Sequence, residues 1–417
     1  METTYLQRLI NDQREEFLSK KTGTPREVAW NNLLNLSRII AITGIWRCGK
    51  STLLRQISED VNGGFVYLNF DDIRLSGFSE SDYEVLITLF SEQHREVIYL
   101  FDEIQLAPVW ERFLRRMHDN GASIVVTGSK SSLLSNELGS HLTGRYLKQE
   151  LFPFSFSEFL MHFNLPQSVS TTAGTELMLQ KSFEYTESGG FPEYLIHKRR
   201  ELLEQLFKDI LIRDIIARHG IQEKQRIQDL ALYLMSNPGA KISYGKLARR
   251  IGFKSPTSVK EYLGYMEDVY LLFQVRRFDW SLKRSMLAPR KVYPVDQGLS
   301  NAIAFKISPN RGYMLETAVF IQLLGNSQVW YFEGRGECDF VQKNNNGKYD
   351  CVQVCWHLSD DNREREFAGL CEAMEFFQRD SGIIITFDQE DTVTLDQNRT
   401  VTVIPFWKWA TSAGTHR

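Results

Sequence analysis

Residues 44–51 read Gly44-Ile45-Trp46-Arg47-Cys48-Gly49-Lys50-Ser51. This octapeptide fits the phosphate-binding pattern G-x-x-x-x-G-K-[ST] at every fixed position. It follows an apolar run at residues 38–42 that predicts a buried strand, and it precedes a helical pattern that starts at Thr52. A loop between a strand and a helix N-terminus turns several backbone N–H groups toward one anion. The stretch therefore predicts a P-loop at the edge of an α/β sheet.

The P-loop residues have separate predicted roles. We expect Lys50 to reach the β- and γ-phosphates of a nucleotide, and the Ser51 hydroxyl to bind Mg²⁺. Trp46 and Cys48 are unusual at their positions and are predicted to pack the loop. The alternative is a chance match within a structural turn. The predicted nucleotide-binding residues are Gly44, Ile45, Trp46, Arg47, Cys48, Gly49, Lys50, Ser51, Thr52 and Ser129.

An apolar run at residues 97–101 ends in two acids, Asp102 and Glu103. A carboxylate at the tip of a neighbouring strand completes the magnesium shell in such sites, and a second one polarises the attacking water. We therefore predict Asp102 as a metal ligand beside Ser51, and Glu103 as a catalytic residue beside Lys50. Taken alone, two acids after an apolar run are typical of a solvated strand end. Their position in the chain after the P-loop favours a magnesium-binding and catalytic site.

The next strand pattern, at residues 123–126, ends in Thr127 and Ser129. Either hydroxyl is a candidate sensor of the γ-phosphate, and the alternative is an ordinary cap of the helical pattern that follows. Arg145 lies further along the chain and is predicted as a catalytic arginine finger that stabilises transition-state charge. The alternative for Arg145 is a solvent-facing side chain.

Strand and helix patterns alternate over the first 165 or so residues. This alternation predicts an α/β fold with a parallel sheet covered by helices on both faces, as in P-loop NTPases. From about residue 175 to 222 the pattern is helical. The remainder predicts helix, turn and helix over 226–278, and then a mixed α/β region.

Length and composition fit an intracellular globular protein. The 417 residues allow for about two or three domains. No stretch approaches the roughly 20 apolar residues that span a bilayer, and the N-terminus lacks the pattern of a signal peptide, so we expect a cytoplasmic protein that does not contact a membrane. The five cysteines show no disulfide spacing. The net charge of −3 says nothing about nucleic acid.

The motifs together resemble the AAA-type ATPases of bacteria and archaea that carry a C-terminal domain of unknown function. The residues that carry this resemblance are 44–51, 100–105, 126–129, 142–145, 151–159 and 188–193. The resemblance implies ATP binding and hydrolysis coupled to an unassigned task. It also implies four parts, namely an ATPase domain at 1–165, a helical lid or linker at 166–225, a winged-helix-like segment at 226–284 and a restriction-endonuclease-like domain at 285–417.

Residues 241–291 form a basic segment, with twelve lysines and arginines against four acids. Its pattern predicts a helix, a turn at Gly252 and a second helix capped by Ser255, which is helix-turn-helix geometry. Thr257, Ser258, Lys260 and Glu261 would then face a DNA groove, and duplex DNA is a candidate partner. The alternative is a module that packs against protein, because fold alone does not fix function.

In the last part, Glu316 on a helix, Asp339 after a strand and Gln353 and Cys355 on the next strand resemble a nuclease site. Gln353 stands where a metal-binding acid is expected, and Cys355 stands in place of the lysine that activates water. We therefore predict a degenerate, inactive nuclease-like fold. A zinc site at Cys351 and Cys355 is the weaker alternative to buried thiols.

The predicted function is an Mg²⁺-dependent ATPase that acts as a nucleotide-driven switch, with ATP and Mg²⁺ bound and with DNA binding as a further expectation. One alternative is a DNA-binding or nuclease-type module in which ATP is only regulatory. Another is a scaffold that binds nucleotide without hydrolysing it. The sequence leaves open whether one chain acts alone or as a homo-oligomer.

Overall fold

The computed structural model describes residues 1–28, 30, 38–61, 64–91, 97–129, 142, 144–304, 310–324, 328–344, 346–396 and 399–412. The chain divides into two compact units, Met1–Phe152 and Pro153–Arg417. We call them the N-terminal unit and the C-terminal unit. Among the described residues, every helix is too short or too polar to cross a lipid bilayer.

The N-terminal unit contains a five-stranded parallel sheet in the order β2-β3-β4-β1-β5. Its strands are β1 (Ile39–Thr43), β2 (Phe65–Asn69), β3 (Ile98–Asp102), β4 (Ser123–Gly128) and β5 (Tyr146–Glu150). Its helices are α1 (Thr3–Ser19), α2 (Lys50–Asp60), α3 (Asp82–Ser91) and α4 (Trp110–Asp119), with short 3₁₀ turns at Ile73–Leu75 and Ile104–Leu106. The predicted α/β fold with a parallel sheet is confirmed.

Burial explains why the central strands form. All five residues of β1 are buried, which is the pattern of a parallel strand covered on both faces. Helix α1 places Leu6, Leu9 and Ile10 in the same core as strand residues Val66 and Phe101. The sheet is parallel, so the carboxyl ends of β1, β3 and β4 meet at one edge, where the sequence places its candidate residues.

The C-terminal unit contains a nine-stranded mixed sheet in the order β13-β14-β12-β11-β10-β9-β7-β8-β6. Its strands are β6 (Lys241–Ile242), β7 (Leu272–Arg277), β8 (Arg290–Pro294), β9 (Val329–Glu333), β10 (Glu337–Lys343), β11 (Tyr349–Val354), β12 (Ser381–Thr386), β13 (Asp391–Thr394) and β14 (Thr400–Pro405).

The helices of this unit flank the sheet and form the segment that precedes it. They are α5 (Phe156–His162), α6 (Thr172–Ser188), α7 (Pro192–His197), α8 (Arg200–Asp209) with a π-helical continuation at Ile210–Ala217, α9 (Lys224–Ser236), α10 (Tyr244–Ile251), α11 (Pro256–Asp268), α12 (Leu282–Leu287), α13 (Gln297–Ile303), α14 (Arg311–Leu323), α15 (Asp360–Phe376) and α16 (Phe406–Ser412).

The two compact units do not follow the four predicted parts. Residues 153–165 belong to the C-terminal unit, because the aromatic side chains of α5 enter its core. Strands β6 to β8 and β9 to β14 share one sheet, so the segments 226–284 and 285–417 are continuous in structure. The division into four domains stays a prediction.

The glycines of the segment 188–193 are fixed by one buried acid, Asp296. Its carboxylate accepts hydrogen bonds from the N–H groups of Gly190 and Leu299, both at 2.7 Å, and so caps α13. A Cβ on Gly189, whose φ is +69°, would lie 2.1 Å from an Asp296 oxygen. The Gly-Gly pair is therefore a close backbone approach within the C-terminal unit.

Candidate functional site

The P-loop leaves β1 at Thr43 and enters α2 at Lys50. Gly49 has a φ of 104°, in the left-handed region that favours glycine. A Cβ on Gly44 would lie 2.0 Å from the carbonyl oxygen of Leu151. Both glycines of the motif are therefore required by the backbone, one for its conformation and one for its close approach to the chain after β5.

Lys50 is buried at the start of α2, with 5% of its surface exposed. Its Nζ donates hydrogen bonds to the carbonyls of Gly44 at 3.0 Å and Ile45 at 3.2 Å. Ser51 is exposed and Thr52 is half-buried. The ammonium group therefore lies across the loop, and the hydroxyl of the next residue in the chain is exposed.

The remaining loop residues differ in exposure. Arg47 is exposed and Trp46 is half-buried, whereas Cys48 is fully buried. The Cys48 thiol donates to the carbonyl of Leu151 at 3.3 Å, and its burial raises its pKa. Cys48 therefore sits in the packing beneath the loop as a neutral thiol.

Arg26 supports the loop from outside the motif. Its guanidinium donates to the carbonyls of Cys48 at 2.8 Å and Phe152 at 2.7 Å. Sequence reasoning missed this residue, because an arginine in a polar segment gives no periodic signal. Arg26 ties the P-loop to the chain that follows β5.

Asp102 is buried at the end of β3, with 2% of its surface exposed. One carboxylate oxygen accepts a hydrogen bond from the hydroxyl of Tyr67 at 3.1 Å, and the other accepts one from Thr127 at the end of β4. Burial and the charge of Asp102 raise the pKa of Tyr67 well above its ordinary value, so Tyr67 remains a donor. Two neighbouring strands thus fix this carboxylate.

Glu103 follows Asp102 in a left-handed backbone conformation with a φ of 50°. Its N–H donates to the Thr127 hydroxyl at 3.0 Å, and its carboxylate accepts from the Gln105 amide. Burial raises the pKa of Glu103, and the positive charge of Lys50 partly opposes this shift. The acid therefore lies within electrostatic reach of the P-loop lysine.

The structure separates Thr127, Ser129 and Arg145. Thr127 is fully buried and bridges Asp102 and Glu103, so its hydroxyl is already committed to the acids. Ser129 follows the carboxyl end of β4 and is half-buried, at the same edge as the P-loop. Its sensor role stays a prediction.

Arg145 lies at the amino ends of the strands, whereas the P-loop lies at their carboxyl ends. It directly precedes β5, whose first residue, Tyr146, pairs with Ile39 at the start of β1. The P-loop begins at the far end of β1, about 13 Å further along the strand at roughly 3.3 Å per residue. The Arg145 guanidinium instead pairs with Asp119 at 3.1 Å. Arg145 thus does not reach the P-loop of its own chain, and an arginine-finger role stays a prediction for a second copy only.

Comparison with known proteins agrees with this geometry. A family model described as an AAA domain matches residues 36–160, and one for a domain of unknown function matches residues 179–311. An uncharacterised protein of Methanocaldococcus jannaschii is 32% identical over 396 residues, which cover 90% of this chain and 88% of that protein. The chain belongs to this family of AAA-domain proteins.

Two further matches are more distant. An uncharacterised protein of Haemophilus influenzae is 28% identical over 350 residues, which cover 79% of the AAA-domain chain and 85% of that protein. A solved mutant of Thermotoga maritima RuvB has 16% identity and a TM-score of 0.31, covering 59% of this chain and 87% of that one. The AAA-domain match includes the P-loop, both acids and Arg145.

The C-terminal unit of this AAA-domain protein brings together three of the four residues that resemble a nuclease site. Asp339 donates its N–H to the Gln353 side chain at 3.1 Å, and Lys291 contacts Asp339 at 2.8 Å and Glu316 at 3.1 Å. The Cys355 thiol instead donates to the carbonyl of His357 at 3.2 Å. The sequence analysis assigned Lys291 to the basic segment and did not predict its contact with these acids.

Residues 244–268 form two helices, α10 and α11, joined by a short turn, as the sequence pattern predicts. Gly252 ends α10 with a φ of 90°, and the Ser255 hydroxyl accepts a hydrogen bond from Thr257 N–H at 3.1 Å to cap α11. Thr257, Lys260 and Glu261 are exposed. Within the basic segment, however, Lys241 pairs with Glu333 and Glu337, and Lys291 is buried among acids. The exposed positive surface is thus smaller than the sequence count indicates.

Proposed function

We propose that the N-terminal unit binds Mg·ATP and hydrolyses it. The observation that carries the proposal is that the P-loop lysine follows β1 and the acid pair ends β3, at the same end of a parallel sheet. Strand β4 lies between β1 and β3, and its Thr127 holds both acids. This arrangement supports one site that binds both the phosphates and the metal ion.

In this proposal the backbone amides of residues 44–51 bind the phosphates. Lys50 exchanges its two carbonyl hydrogen bonds for the β- and γ-phosphate oxygens. Such an exchange is favourable, because the ammonium group then contacts anionic oxygens in place of neutral carbonyl oxygens and gains charge attraction. Thr52 and Ser129 complete the contacts, and the dipole of α2 adds positive potential.

The residues at this edge fit a magnesium ion. The exposed Ser51 hydroxyl and the Asp102 carboxylate are hard oxygen donors, which Mg²⁺ prefers. Each Asp102 oxygen accepts one described hydrogen bond and keeps a second lone pair. Bound Mg²⁺ would neutralise charge that develops on the phosphates.

Glu103 is the proposed general base. It takes a proton from water as the water oxygen attacks the γ-phosphorus, and the bond from that phosphorus to the leaving oxygen of ADP breaks. Burial raises the pKa of Glu103, which brings it closer to the operating pH of a base. As the pH is lowered, turnover is therefore expected to begin falling at a higher pH than it would if the base were a glutamate with an ordinary pKa.

Phosphate release by Glu103→Gln tests the proposal. The amide keeps the size of the side chain but cannot accept the proton, so turnover should fall about 100-fold while ATP affinity stays similar. Glu80→Gln, at an exposed glutamate of the same unit, is the matched control and should be unaffected. Wild type that binds ATP without measurable phosphate release would instead support a scaffold, and unchanged turnover in Glu103→Gln would exclude Glu103 as the base.

DNA binding by residues 241–291 is the second candidate function. The capped helix α11 with exposed Thr257 and Lys260 favours it. Lys260→Ala should weaken binding of a labelled duplex and reduce its salt dependence by about one counterion. Lys343→Ala, outside the segment, is the control. Duplex affinity that is equal in both variants would leave α11 as a module that packs against protein.

A further inference from the structure

Lys291 lies in a buried group of acids in the C-terminal unit. We call Glu316, Glu337 and Asp339 the carboxylate cluster. The Lys291 side chain is 4% exposed, those of Glu316 and Asp339 are 12% and 11% exposed, and that of Glu337, at the rim, is 36% exposed. Buried charges of this kind persist only when they are paired and hydrogen-bonded.

The ammonium group contacts all three members of the cluster. Its Nζ lies 2.7 Å from Glu337, 2.8 Å from Asp339 and 3.1 Å from Glu316. An ammonium group has three N–H donors and no acceptor. Three carboxylates at hydrogen-bond distance therefore match its whole donor capacity.

Three separate elements bring the cluster together. Lys291 and Tyr293 lie two residues apart on β8 and so share one face. The Tyr293 hydroxyl donates to Glu316 on α14 at 2.6 Å. Strand β10 has a bulge between Cys338 and Val341, which alters the register where Asp339 lies. The lysine thus links β8 to a helix and to a strand that is not its neighbour in the sheet.

Electrostatics favour the charged lysine. Burial alone lowers the pKa of Lys291, but the charges of Asp339, Glu316 and Glu337 raise it well above its ordinary value. Burial raises the pKa of Glu316, and the charge of Lys291 opposes that shift. The cluster therefore holds a permanent cation supplied by the chain itself.

The residues do not fit a bound metal. Asp339 uses one oxygen for Lys291 and accepts Val354 N–H with the other at 3.0 Å. The Gln353 amide is held between Asp339 N–H and Glu366, at 3.1 Å and 2.6 Å. Among the described residues, no group of three or more histidines, cysteines and acids is placed to hold a metal ion. The resemblance to a nuclease site thus disagrees with the side chains present.

We propose that the Lys291 ammonium takes the place of the divalent cation, so that the carboxylate cluster is a metal-free structural ion cluster and not a nuclease centre. A nuclease site has a lysine where this chain has Cys355. Lys291 supplies a positive charge from a different strand, β8, but its ammonium group lies between the acids. A metal ion and this ammonium group cannot occupy the same space.

Manganese binding by the full chain without nucleotide tests the proposal. Free Mn²⁺ is measured by electron paramagnetic resonance during titration of wild type, Asp339→Asn, Lys291→Ala and the double variant. Lys291→Ala should gain a Mn²⁺ site at least about tenfold tighter than any in wild type, because the carboxylates lose the cation between them and a hard cation can take its place. The double variant should lose that site again.

Lys241→Ala is the matched control. Lys241 also pairs with Glu337, at 2.6 Å, but it lies at the partly exposed rim of the cluster. It should not create a Mn²⁺ site, because Lys291 still occupies the centre. A site in Lys241→Ala of the same strength as in Lys291→Ala would contradict the central position given to Lys291.

Two outcomes would overturn the proposal. One is a Mn²⁺ site in wild type that Asp339→Asn removes, and the other is a folded Lys291→Ala without added Mn²⁺ binding. If Lys291→Ala does not fold, Lys291→Gln serves instead, because the amide keeps much of the volume without the charge. Its melting temperature should then rise with Mn²⁺ while that of wild type does not, and equal responses would also overturn the proposal.

Discussion

The P-loop and the carboxylate cluster each bury a lysine near acids, yet the two lysines are held differently. Lys50 donates to two backbone carbonyls of its own loop, while Lys291 contacts three carboxylates. Releasing a hydrogen bond between an ammonium group and a neutral carbonyl costs about 1.5–3 kcal/mol, whereas removing one partner of a buried ion pair costs about 3–5 kcal/mol. Lys50 can therefore transfer to a phosphate, and Lys291 stays where it is.

The hydrogen-bond partners thus distinguish the two lysines. A lysine bonded to backbone carbonyls is available to a ligand, and a lysine paired with carboxylates stabilises the fold. Sequence position does not make this distinction, because both residues follow or lie within apolar strand patterns.

Lys50→Ala should have the largest effect. Loss of the only proposed side-chain cation on the β- and γ-phosphates should lower the rate of phosphate release by about 100-fold or more. The measurement is steady-state phosphate release with Mg·ATP. Lys246→Ala, at an exposed lysine of the C-terminal unit, should retain the wild-type rate. Equal rates in wild type and Lys50→Ala would end the proposed role of the P-loop.

Thr127→Val should lower turnover by about tenfold. Valine keeps the shape of the side chain but removes the hydroxyl that bonds Asp102 and Glu103 N–H, so both acids lose a positioning contact. ATP affinity, measured by calorimetry, should change much less than the maximal rate. Thr88→Val, on the exposed surface of α3, is the control. A change in affinity alone would point to phosphate sensing by Thr127.

Asp296 should make stability depend on pH in the C-terminal unit. Burial raises its pKa from 3.8 to about 6, so the folded chain binds this proton more tightly than the unfolded chain does. Its contribution to the free energy of unfolding is therefore fully present below about pH 4 and is lost as the pH rises through about 6. Urea unfolding of wild type and of Asp296→Asn should give a difference in the free energy of unfolding that changes between about pH 4 and about pH 6. A constant difference would refute the assignment to Asp296.

Arg145→Ala should have the smallest effect. The side chain lies at the edge of the sheet opposite the P-loop, so turnover per chain at high dilution should change by less than about twofold. If Arg145 acts on a second copy, the variant should lose only the part of the rate that rises with protein concentration. A large loss at high dilution would contradict the strand order.

The sequence predicts the N-terminal unit well because its signals are local. Apolar runs predict β1 to β4, and the P-loop motif needs only eight neighbouring residues. The role of Arg145 required the direction of β5, which the sequence analysis did not assign, although Tyr146–Glu150 directly follows it. Helix α1 was also missed, despite the helical spacing of Leu6, Leu9 and Ile10.

The carboxylate cluster was predicted only in part because its cation is distant in sequence. Lys291 is 25 residues from Glu316 and 48 from Asp339, so no short motif joins them. One signal was present: a lysine within the strand pattern Arg290-Lys291-Val292-Tyr293 indicates a charge that enters a core and requires an acidic partner. Which acid it meets depends on the bulge in β10 and on the order of the sheet.

Calorimetric titration of the full chain with ATP, in the presence and absence of Mg²⁺, tests whether the N-terminal unit binds Mg·ATP. We expect one Mg²⁺-dependent ATP site per folded chain, which is lost in Lys50→Ala and retained in Glu103→Gln. Two results would contradict this expectation: folded wild-type chain that binds no ATP, or a Lys50→Ala variant that binds ATP as tightly as wild type does.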